Sequence, residues 1–270
     1  MAIITISRGT FSGGKAIAEE LAGRLGCPCV SREIIFDAAK EYGVSEAELN
    51  NAFITPPRFW KQAPGKRFAL LNLLRAALLN LSKDGNLVYH GFAGHHLLRG
   101  VSHVLRVRVI AGMEYRIKTA MEFRTVTRDQ AVAMIRKRDR QSSNWARFLY
   151  GVDWQAPFLY DVILNHERIS VKSAAETLVH MTELEEFKPT DASREAFADL
   201  LLGSRVWAAL FKDPRTRSAN IRVEARKGHV TVAGDADSEQ IVDAIRDVAL
   251  RVEGVKGVTC DIGVGFNWLW

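Results

Sequence analysis

One run near the start of the chain, AIITISRGTFSGGKAIAEELAGRL, constrains the fold more than any other stretch. The apolar segment AIITI predicts a buried strand, and Ile17, Leu21 and Leu25 recur every four residues, as along one face of a helix. The glycine-rich segment GTFSGGKA, residues 9–16, joins the two, and Gly26 follows the helix as a C-terminal glycine. The run therefore predicts a strand, a tight loop and a helix in immediate succession.

This loop nearly matches the phosphate-binding pattern G-x-x-x-x-G-K-[ST], and it has the required strand before it and helix after it. The backbone N–H groups and the helix dipole of such a loop attract phosphate oxygens, and Lys15 would reach the outer phosphates. Ala16 replaces the usual hydroxyl, so Mg²⁺ would be held by nucleotide oxygens, water and another side chain. The candidate nucleotide-binding residues here are Gly9, Thr10, Phe11, Ser12, Gly13, Gly14, Lys15 and Ala16. The alternative is a plain glycine-rich connection.

Basic charge is concentrated in the first part of the chain. The net charge is +6, and residues 1–190 hold 26 Lys and Arg against 19 Asp and Glu, a net of +7. Residues 191–270 hold 11 against 12, a net of −1. A basic surplus of this kind suits an anionic ligand such as a nucleotide. A nucleic-acid partner is not predicted, because the basic residues are not interleaved with aromatic ones in a recognisable nucleic-acid fold.

The cysteines and apolar segments predict a cytoplasmic protein without a transmembrane segment. Three cysteines, Cys27, Cys29 and Cys260, do not make a disulfide scaffold, so a reducing compartment is expected. The opening MAIITI lacks the basic start of a signal peptide. The longest apolar run, residues 68–81, has 14 residues with Arg75 inside, which predicts a largely buried helix.

Strand and helix patterns alternate up to a boundary near residue 190 and change character afterwards. Beyond the first strand and helix, the patterns predict strands at 86–90, 103–110 and 160–165 and helices at 38–43, 68–81, 113–124, 128–140 and 171–181. This alternation predicts an α/β sandwich with a mainly parallel sheet. Residues 191–270 instead read as helix, strand, strand, helix and strand, with a hairpin turn at Lys227-Gly228 and with Gly234 ending the second strand.

Two segments resemble the cytidylate kinase-like family of P-loop nucleoside-monophosphate kinase relatives. The first is ITISRGTFSGGKAIAEELAGRLGCPCVSREII, and the second is RDRQSSNWARFLYGVDWQAPFLYDVILNHERIS at 138–170, with its G-x-D-W, Y-D-x-x-x-N and R-I-S elements. Together the matches cover most of residues 2–182. The resemblance implies a P-loop kinase three-layer sandwich that uses ATP and Mg²⁺ to phosphorylate a nucleoside monophosphate such as CMP or dCMP.

The resemblance also implies a basic lid over the phosphates, for which the candidate is the segment IRKRDRQSSNWAR at 135–147. Phosphoryl transfer needs such cations, because negative charge spreads over the transferring oxygens. The five cations of the lid are Arg136, Lys137, Arg138, Arg140 and Arg147. We assign catalytic roles to Lys15, Arg138, Arg140 and Arg147 and a nucleotide-binding role to Arg136, while Arg116 matches an arginine that opens the preceding helix in related kinases. The alternative for the lid is a solvated basic helix end.

The acceptor side departs from the family pattern in three places. The early motif of Asp-Ser-Gly followed by an arginine has no clear counterpart in VSREIIFDAA, where only Arg32 is basic. Family relatives often have Gly-Arg-Gly where this chain has HGFAGHH at 90–96, so that Phe92 stands in place of the arginine. The lid usually carries an Asp followed three residues later by Arg, whereas Asp139 is followed by Ser142. The acceptor-side candidates are Arg32, Asp139 and Asp161, the last with a structural role at the sheet edge as its alternative. The nearby histidines read as polar groups at strand ends, and no metal site is predicted.

Residues 195–265 resemble the BON domain, a small α/β fold of bacterial envelope and transport-associated proteins. The resemblance is carried by FKDPRTRSANIRVEARKGHVTVAGDADSEQ and VEGVKGVTCDI. It implies a protein or phospholipid partner, although the near-zero net charge of residues 191–270 provides no polybasic attraction to anionic lipid. We assign residues 191–270 to this domain with an aromatic tail, GFNWLW, which would pack on its own protein or on a partner.

Three functions follow from these features. The first is an ATP-dependent nucleoside-monophosphate kinase, and the second is a non-catalytic nucleotide-binding regulator that signals through the BON-like unit. The third is a lipid- or envelope-associated adaptor, which rests on the BON resemblance alone.

Overall fold

The computed structural model describes residues 3–31, 64–83, 85–91 and 94–265. The first unit contains the strands β1 (Ile3–Arg8), β2 (Cys29–Ser31), β3 (Leu87–His90), β4 (Val104–Ile110) and β5 (Val162–Asn165). Its helices are α1 (Gly14–Leu25), α2 (Pro64–Leu81), α3 (Gly94–Leu97), α4 (Met113–Phe123), α5 (Arg128–Tyr150) and α6 (Val171–Glu183). The helix predicted at 38–43 lies outside the described residues.

The five strands form one sheet in the order β2-β3-β1-β4-β5. Every pairing in this sheet is parallel, which confirms the predicted parallel α/β architecture. One face is covered by α1 and α6, which pack on residues such as Ile4, Ile6 and Val107. The opposite face packs through Ile3, Leu87 and other residues against α2 and α3. The loop after β1 therefore emerges at the centre of the carboxyl edge of the sheet, where α/β proteins bind ligands.

Helix α5 is longer than the 13 residues predicted for it. It runs without interruption for 23 residues, from a capping box made by Thr127 and Gln130 to Gly151, which takes a left-handed conformation with φ 70°. The polar stretch QSSN gives no periodic signal, but Trp145 and Ala146 are buried against the rest of the unit. Their packing extends the helix beyond the predicted end.

The second unit contains α7 (Asp191–Lys212), β6 (Asn220–Arg226), β7 (His229–Ala236), α8 (Glu239–Leu250) and β8 (Gly257–Val264). Its sheet has the order β6-β7-β8, with β6 and β7 joined by the predicted hairpin. The expectation that Gly234 ends β7 is wrong. Gly234 lies inside the strand at φ 146°, where a Cβ atom would lie 2.1 Å from the carbonyl oxygen of Asn220, so only glycine allows the two strands to pair there.

Helix α7 packs on both units. Its first half places Phe197 in the core beneath α2 and α3, with Leu200 and Leu201 beside it. Its second half places Val206 and Leu210 in the core of the second sheet. The boundary near residue 190 stays a prediction, and the helix that follows it belongs to both hydrophobic cores. Across the described ranges, no helix combines the length and the apolarity that crossing a bilayer requires.

Candidate functional site

The glycine-rich loop is anchored to the end of β4. The backbone N–H of Gly9 donates to the carbonyl of Val109 at 3.3 Å. The hydroxyl of Ser12 donates to the carbonyls of Gly9 at 2.9 Å and Val109 at 3.1 Å. Ser12 is buried, so its hydroxyl acts on the loop itself and is not available to a ligand. These bonds hold the loop at the carboxyl edge of the sheet, with α1 beginning at Gly14.

Gly13 is the point at which the loop meets the end of β5. It has φ 81°, and a Cβ atom there would lie 1.9 Å from Cδ2 of His166. The carbonyl of Ile169, 2.9 Å from Nδ1 of His166, holds the imidazole in place, and the ring of Tyr115 meets it edge-on with centroids 5.7 Å apart. His166, which directly follows β5, thus lies against the loop, and Tyr115 of α4 packs on His166. Sequence reasoning missed both residues, although His166 follows a predicted strand directly, which places it at the carboxyl edge.

Lys15 lies in the first turn of α1 and is open to solvent. Its Nζ is 3.5 Å from Oε1 of Glu19, and 64% of its side chain is exposed. An exposed pair of this kind, one helical turn apart, contributes only about 0.3–0.5 kcal/mol, so Lys15 can turn to an incoming phosphate at little cost. The predicted placement of this lysine at the start of the helix is confirmed.

Asp139, predicted on the acceptor side, contacts the loop. Its Oδ1 accepts hydrogen bonds from the backbone N–H of Thr10 at 3.3 Å and from the Thr10 hydroxyl at 2.9 Å. Its Oδ2 pairs with Nη2 of Arg116 at 2.5 Å, and the Nε of Arg116 donates to the carbonyl of Thr10 at 2.7 Å. Helices α4 and α5 are therefore tied to the glycine-rich loop through one largely buried ion pair.

The lid cations lie on α5 but not on one face of it. Arg136, Lys137 and Arg140 share a face with Asn144 and line a shallow, open groove of about 420 Å³. Successive helical residues turn by about 100°, so this face points away from Asp139, and Arg138 lies on the opposite flank. All five predicted lid cations are exposed, and none pairs with a carboxylate of the described ranges. The exposed arrangement leaves both the lid and the solvated-helix interpretation open.

Asp161 is the other acceptor-side candidate that the structure describes. Asp161 accepts from the backbone N–H of Arg106 at 2.8 Å and also pairs with its guanidinium, which ties β4 to the start of β5. This contact favours the structural alternative for Asp161, while an acceptor role stays a prediction. Arg32 and Phe92 lie outside the described residues. Ser142 is half-buried in α5.

The residues around the loop offer Mg²⁺ little direct ligation. The Thr10 hydroxyl donates to Asp139, the Ser12 hydroxyl donates to two carbonyls, and Ala16 has none. Within the described ranges, no group of three or more histidine, cysteine or carboxylate side chains could hold a metal ion. A Mg²⁺ ion at this loop would therefore be carried chiefly by nucleotide oxygens and water, which suits an ion that keeps several waters when bound.

Comparison with protein families gives two matches. Residues 3–168 match the model of the cytidylate kinase-like family. Residues 198–265 match the model of the BON domain. The first match contains the whole glycine-rich loop, both of its aromatic neighbours and α5. The second begins within α7, so the helix shared by both hydrophobic cores also joins the two family matches.

Individual proteins give consistent likenesses. A protein named cytidylate kinase from Ignicoccus hospitalis is 26% identical over 184 residues, covering 67% of this chain and 99% of that protein. A crystal structure of an uncharacterized protein from Eubacterium ventriosum superimposes with a TM-score of 0.53 at 16% identity, covering 67% of this chain and 98% of that one. A shikimate kinase from Bacteroides thetaiotaomicron superimposes with a TM-score of 0.41 at 13% identity, covering 68% of this chain and 99% of that one.

Proposed function

The chain belongs to the cytidylate kinase-like family, with a BON domain behind it, and from this premise we propose that its first unit is an ATP-dependent nucleoside-monophosphate kinase of the CMP or dCMP type. The observation that carries the proposal is the loop itself. Residues 9–14 are anchored at the carboxyl edge of a parallel sheet and lead into a helix whose first turn presents an exposed lysine. Backbone N–H groups and a positive helix end at such a point bind phosphate.

On the donor side, the loop and Lys15 would hold the phosphates of ATP. His166 lies against Gly13 and meets Tyr115 edge-on, and these rings would offer a nucleobase an aromatic contact beside the loop. ATP would bring Mg²⁺ with it, and the ion would neutralise charge on the phosphate oxygens. Arg136 would add to nucleotide binding from α5.

On the transfer side, the positive charge of the lid would stabilise the transferring phosphoryl group. The contact of Asp139 with Thr10 brings α5 against the loop, and the exposed cations Arg138 and Arg147 of the same helix would supply that charge. Little covalent help is required in this reaction, so positioning and charge supply most of the catalysis. All three cysteines are free thiols, which fits the cytoplasmic location that we propose.

Turnover measurements test the proposal. The full chain is incubated with ATP, Mg²⁺ and a panel of nucleoside monophosphates, and diphosphate products are measured. We expect product with CMP or dCMP and a loss of at least about 100-fold in Lys15→Ala, given the charge stabilisation at stake. Lys118→Ala, which removes an exposed lysine from α4, is the matched control and should retain activity. ATP binding without turnover of any acceptor would exclude a kinase.

That last outcome would favour the second function, a nucleotide-binding regulator acting through the BON domain. The observation that supports it is that α7 contributes residues to the hydrophobic cores of both units. A displacement of this helix in one core would therefore move its residues in the other. An adaptor that binds phospholipid through the BON domain is tested by sedimenting the full chain with vesicles. Binding to vesicles with no ATP binding would favour the adaptor over both nucleotide functions.

A further inference from the structure

A second cluster of polar and aromatic side chains lies on the face of the sheet opposite α1. It is formed by the ends of β1 and β4 and by α3, together with the last turn of α5 and the segment before β5. Its members are Ser7, His95, His96, Arg108, Tyr150, Trp154 and Tyr160, and we call it the Arg108 cluster. None of these residues was assigned a role above.

Arg108 is the centre of the cluster and is only 8% exposed. Its Nη1 donates to the carbonyl of Trp154 at 2.5 Å and lies 3.4 Å from the Tyr160 hydroxyl. The guanidinium lies over the Trp154 ring at 4.5 Å and over the Tyr160 ring at 5.4 Å. No carboxylate of the described ranges pairs with it. A buried charge without a counter-ion is costly, so the cluster is electrostatically incomplete as it stands.

The two histidines of the cluster have unused polar atoms. Nδ1 of His95 is 3.4 Å from the hydroxyl of Ser7, while Nε2 of His95 and Nε2 of His96 are buried and have no hydrogen-bond partner in the described ranges. The rings of His95 and His96 are 4.1 Å apart, and Tyr150 stacks on His96 at 4.5 Å. Two buried imidazole nitrogens of the cluster therefore have no hydrogen-bond partner within the described residues, and one of the two rings, His95, is close enough to Arg108 to be affected by its charge.

Burial and nearby arginines disfavour the protonated form of both imidazoles. Burial, together with His96, Arg106 and Arg108, lowers the pKa of His95 to about 3. Burial, together with Arg99 and Arg106, lowers the pKa of His96 to about 4. The neighbouring arginine on β4, Arg106, has its charge neutralised by Asp161, whereas no carboxylate within the described residues pairs with Arg108. An anion is the species that would satisfy this environment.

The position of the cluster links it to the glycine-rich loop. Arg108 is the register partner of Ser7 across β1 and β4, and Ser7 lies two residues before Gly9, where the loop begins. The cluster thus lies beside the loop at the carboxyl edge, on the side away from α1.

We propose that Arg108, with His95 and His96, forms an oxyanion subsite that binds the phosphate group of the acceptor. The proposal rests on the proposed kinase function for the identity of the ligand, but not for the chemistry of the subsite. Arg108 supplies positive charge from β4, and the imidazoles supply hydrogen-bond donors. The half-buried pair of His96 and Tyr150 forms the outer wall through which the anion enters.

A titration with inorganic phosphate tests the subsite directly. The full chain is prepared with labelled histidines, and the imidazole NMR signals are followed at pH 7, with His95→Gln and His96→Gln used for assignment. We expect the His95 and His96 signals to move, and Arg108→Gln to weaken the phosphate affinity at least about tenfold, since hydrogen bonds to charged groups are the strong ones. Arg108→Lys, which keeps the charge, should weaken it less.

The control variant is Arg128→Gln with Glu114→Gln, which removes an exposed ion pair between α4 and α5 and leaves the net charge unchanged. Its phosphate affinity should stay within about twofold of the original. Equal affinities for Arg108→Gln and the unsubstituted protein, with both folded by circular dichroism, would overturn the proposal. A titration in which phosphate shifts only the signal of His166, which lies against the loop, would also overturn it.

The same signals separate this proposal from the proposed function. If ATP fails to move the His166 signal while phosphate moves those of His95 and His96, the kinase function fails and the subsite stands. If the protein phosphorylates CMP but Arg108→Gln changes neither KM for CMP nor phosphate affinity, the subsite fails and the kinase stands. If both hold, Arg108→Gln raises KM for CMP and leaves KM for ATP unchanged.

Discussion

Asp139 and Thr10, 129 positions apart in sequence, are joined by two hydrogen bonds, from the backbone N–H at 3.3 Å and from the hydroxyl at 2.9 Å. Because the same carboxylate pairs with Arg116, one side chain connects the glycine-rich loop, α4 and α5. The conformation of the loop and the position of the basic helix are therefore coupled.

Replacing Asp139 by asparagine should destabilise the first unit. The substitution keeps the shape but removes the charge, so Arg116, whose side chain is 12% exposed, loses its counter-ion. We expect the free energy of unfolding to fall by about 1–3 kcal/mol, measured by urea denaturation. Glu122→Gln on the exposed side of α4 is the control and should change it by less than about 0.5 kcal/mol. An equally small change in Asp139→Asn would contradict the coupling.

Replacing Gly13 by alanine should abolish ATP binding. The left-handed backbone and the 1.9 Å approach to His166 leave no place for a methyl group, so the loop or the histidine must move. Isothermal titration of ATP measures the effect. Gly23→Ala in α1 is the matched control, because a Cβ atom there meets nothing within 4 Å. The control should stabilise the helix by about 0.5–1 kcal/mol. Unchanged ATP affinity in Gly13→Ala would argue against the phosphate-loop assignment.

Replacing Phe197 by alanine should destabilise the first unit although the residue lies beyond the predicted boundary. Phe197 is 6% exposed and packs beneath α2 and α3. Because its removal leaves a cavity, the free energy of unfolding should fall by about 3–5 kcal/mol. Chemical denaturation followed by the tryptophan fluorescence of the full chain reports the loss. Phe158, which is 79% exposed, is the control, and its replacement by alanine should have little effect. Similar behaviour of the two variants would show that α7 does not support the first unit.

Mild acid should destabilise the protein through the buried histidines. The pKa of His95 is lowered from 6.5 to about 3 and that of His96 from 6.5 to about 4. Below pH 6.5 the histidines of the unfolded chain take up protons that those of the folded protein do not. The contribution of the neutral histidines to the free energy of unfolding is therefore full above that pH and falls toward pH 4. Each histidine contributes a slope of up to about 1.4 kcal/mol per pH unit.

Urea denaturation between pH 7 and 4.5 measures this slope. The double variant His95→Gln with His96→Gln should show a flatter dependence on pH, because neither side chain titrates. His180→Gln, which removes an exposed histidine from α6, should keep the original slope. A slope that is the same in all three proteins would show that other groups cause the acid sensitivity.

The local pattern of apolar residues and glycines predicts most of the strands and helices and the glycine-rich loop. It does not reveal the shortest strands and helices. Strand β2 has 3 residues and α3 has 4, too few positions to show a period. Helix α5 was predicted too short, because its second half is recognised only by the burial of Trp145 and Ala146. Lys15 was found because the loop is continuous in sequence. His166 and Arg108 were not, because each meets its partners only after the strands are paired.

Local sequence patterns predict the strand–loop–helix run, the alternation that leads to a parallel sheet and the change of character near residue 190. These features are set by interactions between residues close in the chain, which periodicity and glycine placement report directly. Long-range packing brings Asp139 into contact with Thr10, places His166 against Gly13 and buries α7 in two hydrophobic cores. It also placed Arg108 beside Ser7, where burial without a carboxylate turns an arginine on a strand into a candidate anion site. Such relationships depend on strand order and register, which bring together residues more than 100 positions apart.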